Sequence, residues 1–140
     1  MEEKVKDLIN TTSEKLSEEI VKLLIEKKAQ NVRMYYVAES TSVTDFYVNA
    51  TGRSSTHVGA LSGEIEDLIS ERGREPLRVE GRAGNAWILV DYGDVIVNIF
   101  DRQSREFYDF DRLLPKESER SIEKLIDEVD EKMKLNTAKE

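Results

Sequence analysis

Two pairs of aspartates come closest in this sequence to a catalytic arrangement. The first pair is Asp109 and Asp111, whose spacing of two places both carboxylates on one face of a strand. Metal-dependent nucleotide transfer uses such a pair, together with a third carboxylate and a phosphate-binding turn, to hold two cations. Gly52-Arg53-Ser54-Ser55 is a candidate for that turn, because it opens a predicted helix and helix amino ends bind anions. The alternative is that both are surface acids, since Asp-x-Asp alone is a weak signal.

The second pair frames a Tyr-Gly dipeptide, in Asp91-Tyr92-Gly93-Asp94. Apolar runs on both sides predict the two strands of a hairpin with a tight turn at Tyr92-Gly93. Neighbouring side chains of a strand point to opposite faces, and a spacing of three across a turn does not bring two carboxylates to one face. We therefore interpret Asp91 and Asp94 as an acidic hairpin tip that recognises a partner or shapes the recognition loop.

The single histidine, His57, is a third candidate for chemistry. A nucleophile pair with Ser54 or Ser55 lacks the Gly-x-Ser-x-Gly elbow that exposes a hydrolase serine. Both serines are explained as helix caps, and one histidine cannot build a zinc site unless several carboxylates converge on it. We predict that His57 is a surface or interface side chain.

The single tryptophan, Trp87, has two interpretations that the sequence leaves open. Its ring is either part of the core or, with Tyr92 nearby, an exposed anchor for a partner. Aromatic side chains dominate the binding energy of protein interfaces, which is why the second interpretation is kept.

Composition limits the class of protein. The chain has 140 residues, which suits one domain, and 29 acidic against 21 basic side chains give a net charge of -8. An acidic chain is a poor ligand for nucleic acid, so we expect no direct sequence-specific nucleic-acid binding and favour a basic protein partner. The absence of cysteine excludes disulfides and a cysteine nucleophile. No apolar run reaches the roughly 20 residues of a membrane span, and no signal peptide is recognised, so a cytoplasmic protein is expected.

Hydrophobic periodicity predicts the elements that would position these residues. Helices are expected after Thr11, which has capping-box spacing to Glu14, after the 52–55 turn, and at about 118–135. Strands are expected at 31–37, 45–51, 86–92, 94–100 and 105–108, with 77–80 as a further candidate. The fold class is therefore α/β, with a mixed five-stranded sheet and flanking helices in the order α-β-β-α-β-β-β-α.

Three stretches together resemble one known family, that of the ribosomal silencing factors, also called the Iojap family. The first is residues 42–58, SVTDFYVNATGRSSTHV. The second combines Glu80-Gly81-Arg82 with residues 87–100, WILVDYGDVIVNIF. The third is residues 105–113, REFYDFDRL. The resemblance runs from about residue 13 to 114 and suggests an N-terminal extension at 1–12 and a C-terminal helical extension at 115–140.

The resemblance implies a function that composition does not. Members of the family bind the large ribosomal subunit at ribosomal protein fourteen, block subunit joining and repress translation during starvation, and their organelle relatives act in large-subunit assembly. It also implies a nucleotidyltransferase-like topology without a catalytic site, no metal or cofactor, and a possible homodimer. On this basis we expect a non-enzymatic protein whose partner-binding residues are Trp87, Asp91, Tyr92, Asp94, Tyr108, Asp109, His57 and Arg53. Two rivals remain: a large-subunit assembly factor and a metal-dependent nucleotidyltransferase.

Overall fold

A computed structural model describes residues 5–138, which form one mixed sheet with helices. The helices are α1 (Ser13–Glu26), α2 (Ser55–Glu71), α3 (Arg102–Tyr108) and α4 (Glu123–Ala138). The strands are β1 (Gln30–Tyr36), β2 (Phe46–Gly52), β3 (Arg78–Glu80), β4 (Trp87–Asp91), β5 (Val95–Asp101) and β6 (Glu119–Arg120). Two short 3-10 helices, Phe110–Leu113 and Lys116–Ser118, link α3 to β6. None of the described helices is long and apolar enough to cross a membrane.

The strands lie in the order β3-β4-β5-β2-β1-β6. The two central strands, β2 and β5, run parallel, with Phe46 opposite Val95 and Thr51 opposite Phe100. All other neighbours are antiparallel, including the β4–β5 hairpin, in which Trp87 faces Phe100. This arrangement confirms the predicted α/β fold with a mixed sheet.

The core lies between one face of the sheet and the layer formed by α1, α2 and α4. Alternate strand residues point into it, and the helices supply apolar side chains at helical spacing. The fully buried members include Leu16, Ile20 and Leu24 of α1, Val58, Ile65 and Ile69 of α2, and Val48, Val90, Val97 and Ile99 of the sheet. Burial of these side chains is the main stabilising term of the fold.

The described parts of the two predicted extensions, residues 5–12 and 115–138, join this core; the rest of each extension lies outside the described residues. Leu8, in the predicted N-terminal extension, is fully buried, and its backbone N–H donates to the carbonyl of Arg72 at the end of α2. In the predicted C-terminal extension, Leu125 and Val129 of α4 are buried against α1. β6 pairs with β1 through Met34 opposite Arg120.

Two of the three predicted helix starts, those of α1 and α2, are close to the starts in the structure. Ser54 caps α2 by accepting a hydrogen bond from the N–H of His57, as expected for a serine before a helix. Thr12, and not the predicted Thr11, caps α1 by accepting from the N–H of Lys15. α4 begins at Glu123, later than the predicted residue 118.

Two predictions about the sheet are wrong. Residues 105–108 were expected to form a strand, but they lie in α3, which Asp101 begins by accepting from the N–H of Ser104 at 2.7 Å. The sheet has six strands and not five, because 78–80 forms a strand and β6 is added at the edge beside β1. A two-residue strand has no periodic pattern of its own, so the sequence gives no sign of it.

Candidate functional site

The second face of the sheet, which we call the open face, carries the side chains that point away from the helix layer. They alternate with the core residues along β2, β4 and β5. α3 and the Phe110–Leu113 turn lie on this side, because Trp87 contacts both Tyr108 and Phe110. The side chains of the open face include Tyr47, Asn49, Thr51, Trp87, Asp91, Asn98 and Phe100.

Six aromatic rings form a continuous cluster on this face. The aromatic cluster consists of Tyr47, Trp87, Phe100, Phe107, Tyr108 and Phe110. The ring centres of Trp87 and Phe100 are 4.8 Å apart, and those of Trp87 and Tyr108 are 4.9 Å apart. Phe107 is 79% exposed and Tyr108 50% exposed, with Leu113 at 76% close by in the chain. Phe107 and Tyr108 contact each other, and exposed apolar side chains that form a contiguous patch mark interaction sites on soluble proteins.

Trp87 is partly buried and partly exposed, which lies between the two interpretations that the sequence left open. Its ring is half-buried between Phe100 below and Tyr108 beside it. Its indole N–H donates to the Oδ1 of Asn98 at 3.0 Å. The ring is therefore held in place by the sheet while part of it faces solvent.

The acidic tip is held by intramolecular ion pairs. Asp91 accepts a hydrogen bond from the N–H of Gly93 at 2.7 Å and pairs with Arg78 at 3.1 Å. Asp94 pairs with Arg74 at 2.7 Å, and Arg74 also donates to the carbonyl of Tyr92. Gly93 has φ +90°, a conformation that glycine adopts without strain. These contacts favour the role of shaping the loop, which was one of the two predicted for the aspartates.

Tyr92, which was predicted as a partner-binding side chain near Trp87, does not project from the tip. Its side chain is 4% exposed and belongs to the core cluster under the helix layer. Burial raises the pKa of its phenol above the ordinary value, and the carboxylates of Glu66 and Glu75 add to the rise. Its hydroxyl has no hydrogen-bond partner among the described residues. Every second residue of a strand faces the same side, so Tyr92 follows Ile88 and Val90 into the core. This alternation could have been read from the sequence.

His57 and Arg53 lie between β2 and α2; Arg53 contacts His57 through its backbone, and its side chain is exposed. The Nδ1 of His57 accepts the backbone N–H of Arg53 at 3.0 Å, and its Nε2 lies 3.0 Å from the carbonyl of Lys27. Because Nδ1 accepts, the neutral ring carries its proton on Nε2 and donates it to Lys27. His57 therefore joins the end of α1 to the start of α2, and the structure does not bring it into the aromatic cluster.

Asp109 and Asp111 line one cavity with Glu119, but the basic side chains of Arg33, Arg112 and Lys116 line it too. Asp109 ends α3 in the left-handed conformation, with φ 48°, and lies 3.7 Å from Arg112. Asp111 accepts from Arg105 at 2.6 Å and from Asn49 at 2.8 Å. Burial alone would raise the pKa of Asp111, but these hydrogen bonds outweigh it and hold the pKa below its usual range. Within residues 5–138, no group of three or more His, Asp or Glu side chains is placed to hold a metal ion.

Two buried asparagines that the sequence analysis did not select lie beneath the cluster. Asn49 is 0% exposed and Asn98 1% exposed, and they face each other across the parallel β2–β5 pair. Each stands in an otherwise apolar strand, FYVNATG and VIVNIFD. A buried amide needs partners, so an asparagine at equivalent positions of two apolar strands was a signal for a polar network.

The fold and the site define a class of protein: an α/β domain with a partly exposed aromatic cluster on one face of its sheet. A family model described as "Ribosomal silencing factor during starvation" matches residues 10–140. The chain belongs to this family of ribosomal silencing factors, abbreviated RsfS. Membership confirms the resemblance found in the sequence and the prediction that the chain is not an enzyme.

Individual relatives agree with the family match. The chain is 29% identical over 102 residues to the ribosomal silencing factor RsfS of Halalkalibacterium halodurans, covering 73% of this chain and 87% of that protein. It is 24% identical over 97 residues to the mouse "Mitochondrial assembly of ribosomal large subunit protein 1", covering 67% of this chain and 42% of the mouse protein. A crystal structure of a protein from Chromobacterium violaceum superposes with a TM-score of 0.71 at 27% identity, covering 74% of this chain and 86% of that one.

Proposed function

We propose that this chain binds the large ribosomal subunit through ribosomal protein fourteen and represses translation by blocking subunit joining. The observation that carries the proposal is the aromatic cluster, whose outer rings, Phe107 and Tyr108, are exposed above a rigid sheet. Membership of the silencing-factor family supports a ribosomal partner. The contact surface in this proposal consists of Trp87, Tyr108, Asp109 and the rings around them.

The physical properties of the cluster suit a protein partner. Aromatic anchors with two side-chain torsions lose little entropy on binding, and Trp87 is already fixed by Phe100 and Asn98. Asp109 is exposed at the end of α3 and adds a negative charge beside Tyr108. With a net charge of -8, the chain attracts a basic ribosomal protein at long range and so accelerates association at low salt.

The acidic tip has a supporting role in this proposal. Asp91 lies on the open face with Trp87, because the two are four positions apart on one strand. Its carboxylate is already paired with Arg78, so an incoming cation would compete with that pair. Asp94 is paired with Arg74 in the same way. We therefore assign the larger share of the binding energy to the rings.

The experiment is co-sedimentation with isolated large and small ribosomal subunits. Binding to the large subunit alone is expected, and equal binding to both, or to neither, would contradict the proposal. Tyr108→Ala should weaken binding about 10- to 100-fold, the effect of losing an interface anchor. Leu135→Ala is the matched control, because Leu135 is an exposed apolar side chain of α4 in the helix layer and its removal should change nothing.

A subunit-joining assay distinguishes silencing from assembly. Adding the protein to large subunits before small subunits should lower the yield of joined ribosomes, and Tyr108→Ala should not do so. A role in assembly is the second candidate, favoured by the likeness to the mouse protein named for mitochondrial large-subunit assembly. In that case, growth-phase ribosome profiles of cells lacking the protein would show large-subunit precursors in place of excess translation. A cytoplasmic location and a homodimer stay predictions.

A further inference from the structure

A series of hydrogen bonds connects Trp87 to the half-buried carboxylate of Asp111. The indole Nε1 of Trp87 donates to the Oδ1 of Asn98 at 3.0 Å. The Nδ2 of Asn98 donates to the Oδ1 of Asn49 at 3.1 Å, and the Nδ2 of Asn49 donates to the Oδ1 of Asp111 at 2.8 Å. This series of hydrogen bonds crosses β4, β5 and β2 and ends at the turn after α3.

The donor and acceptor roles along this series of hydrogen bonds are fixed at both ends. An indole N–H only donates, so Asn98 must turn its oxygen toward Trp87. An ionised carboxylate only accepts, so Asn49 must turn its nitrogen toward Asp111. The two amides then meet oxygen to nitrogen, which is the single orientation that satisfies all three bonds. Reversal of either amide would leave a buried donor facing a donor or an acceptor facing an acceptor.

Asp111 is itself anchored. Its second oxygen accepts from the Nε of Arg105 at 2.6 Å, and the Nη1 of Arg105 donates to the hydroxyl of Thr51 at 3.0 Å. Arg105 is 7% exposed and lies over the ring of Phe100, 5.7 Å from its centre. The carboxylate that orients the amides is therefore tied to α3, the helix that carries Phe107 and Tyr108.

We propose that Asn98 and Asn49 are positioning residues, which fix the plane of the Trp87 ring so that the aromatic cluster is preformed for its partner. The part of this inference that concerns binding rests on the proposed function. Trp87 contacts Tyr108 at 4.9 Å and Phe110 at 6.1 Å, so its tilt sets the packing of both rings. The three bonds from Trp87 to Asp111 are all made, although the Nη2 of Arg105 has no partner among the described residues. Such bonds between buried polar groups favour one arrangement of their surroundings, at the cost of desolvating the amides.

The first test observes the ring itself. Because the chain has one tryptophan, a ¹⁵N-labelled sample gives one indole N–H resonance. Asn98→Leu should move it most and speed its exchange with solvent, Asn49→Leu should move it less, and Asp111→Asn least. Ser62→Ala is the matched control: Ser62 is also buried and donates one side-chain hydrogen bond, but it lies on α2 across the sheet. Its substitution should leave the resonance in place.

The second test asks whether Asn98 acts through the indole. Asn98→Leu should weaken binding of the full chain to the large subunit about tenfold, because the anchor is no longer preorganised. In the Trp87→Phe background there is no indole N–H to orient, so the same substitution should cost less than about twofold. An equal loss in both backgrounds would show that Asn98 only supports the fold.

The outcomes separate this inference from the proposed function. If the wild-type chain does not bind the large subunit, the proposed function fails, and the order of the indole shifts still decides whether the amides position the ring. An indole resonance that is unmoved in folded Asn98→Leu and Asn49→Leu overturns the inference even if binding is observed. If Asn98→Leu does not fold, the Asp111→Asn variant tests the inference instead. Asp111 is half-buried at the outer end of the hydrogen-bond series, so its substitution should leave the fold intact. An indole resonance that Asp111→Asn leaves in place would then contradict the proposal that the amides position the Trp87 ring.

Discussion

Replacing Tyr92 by phenylalanine should stabilise the protein. The Tyr92 ring is 4% exposed and packs in the core cluster, but its hydroxyl has no partner among the described residues. Phenylalanine keeps the ring and its apolar contacts and removes the one polar atom that was desolvated without a hydrogen bond. The same substitution at an exposed hairpin tip would have no such effect.

The size of the gain follows from the desolvation of the hydroxyl. Leaving a buried polar group unsatisfied costs about 1–3 kcal/mol, so its removal should raise the free energy of unfolding by about 1 kcal/mol. For a domain of this length, that gain raises Tm by about 3 °C. Binding to the large subunit should not change, because the ring lies under the helix layer and the aromatic cluster lies on the open face.

The pH dependence gives a second signature. Burial raises the pKa of Tyr92 in the folded state, with Glu66 and Glu75 adding to the rise, whereas the unfolded chain has the ordinary value of 10.0. The contribution of this pKa difference to the free energy of unfolding is fully present below pH 10. It is lost as the pH rises above 10, because the unfolded chain then releases a proton that the folded state retains. The Phe variant lacks this loss, so its advantage over the wild type should grow above pH 10.

Urea unfolding followed by circular dichroism, at pH 7 and again above pH 10, measures both effects. Equal unfolding slopes for the two proteins are required, so that the midpoints compare stability alone. A variant less stable than the wild type by more than about 1 kcal/mol would refute the reasoning, since it would mean that the hydroxyl makes a hydrogen bond in solution.

Three further substitutions test other parts of the fold. Gly81→Ala should destabilise by about 2 kcal/mol or more, because Gly81 has φ +94° and an added Cβ would lie 1.9 Å from a carbonyl oxygen of β4. Gly63→Ala, in α2 with nothing within 4 Å of the added Cβ, should stabilise by about 0.5–1 kcal/mol, and the same urea unfolding assay measures both glycine variants. Asp7 accepts two hydrogen bonds from Arg72, which lower its pKa to about 2 from the ordinary 3.8. The wild type should therefore lose stability relative to Asp7→Asn as the pH falls from about 4 to 2, and a constant difference across that range would contradict the pairing.

Most of the sheet could be predicted because its strands carry strong local patterns. The apolar runs on either side of the 91–94 turn predict β4 and β5, and their bounds are within one or two residues of those in the structure. α3 could not be predicted in this way. Its aromatic residues favour a strand by propensity. The helix is stabilised instead by the cap from Asp101 and by the packing of Tyr108 on Trp87, which is a contact between distant parts of the chain.

The candidate site was predicted in part for the same reason. Trp87 and Tyr108 were both selected, and the structure places their rings in contact. Asn49 and Asn98 were missed, because their role depends on the parallel register of β2 and β5, which no local pattern gives. The register aligns the two amides, and the alignment turns two isolated polar residues into a connected network.

The parallel pairing of β2 with β5 also has a consequence for how the chain folds. Phe46 and Val95 are neighbours in the sheet, but α2, β3 and β4 lie between them in the sequence. Closing a loop of this length lowers the entropy of the chain before stabilising contacts form. Folds that depend on such long-range pairings therefore form slowly. During synthesis, the centre of the sheet cannot assemble until Asp101 has left the ribosomal exit tunnel. Until then, the nascent chain carries β2 with one side unpaired, so this strand is the point at which a stalled or truncated product would aggregate.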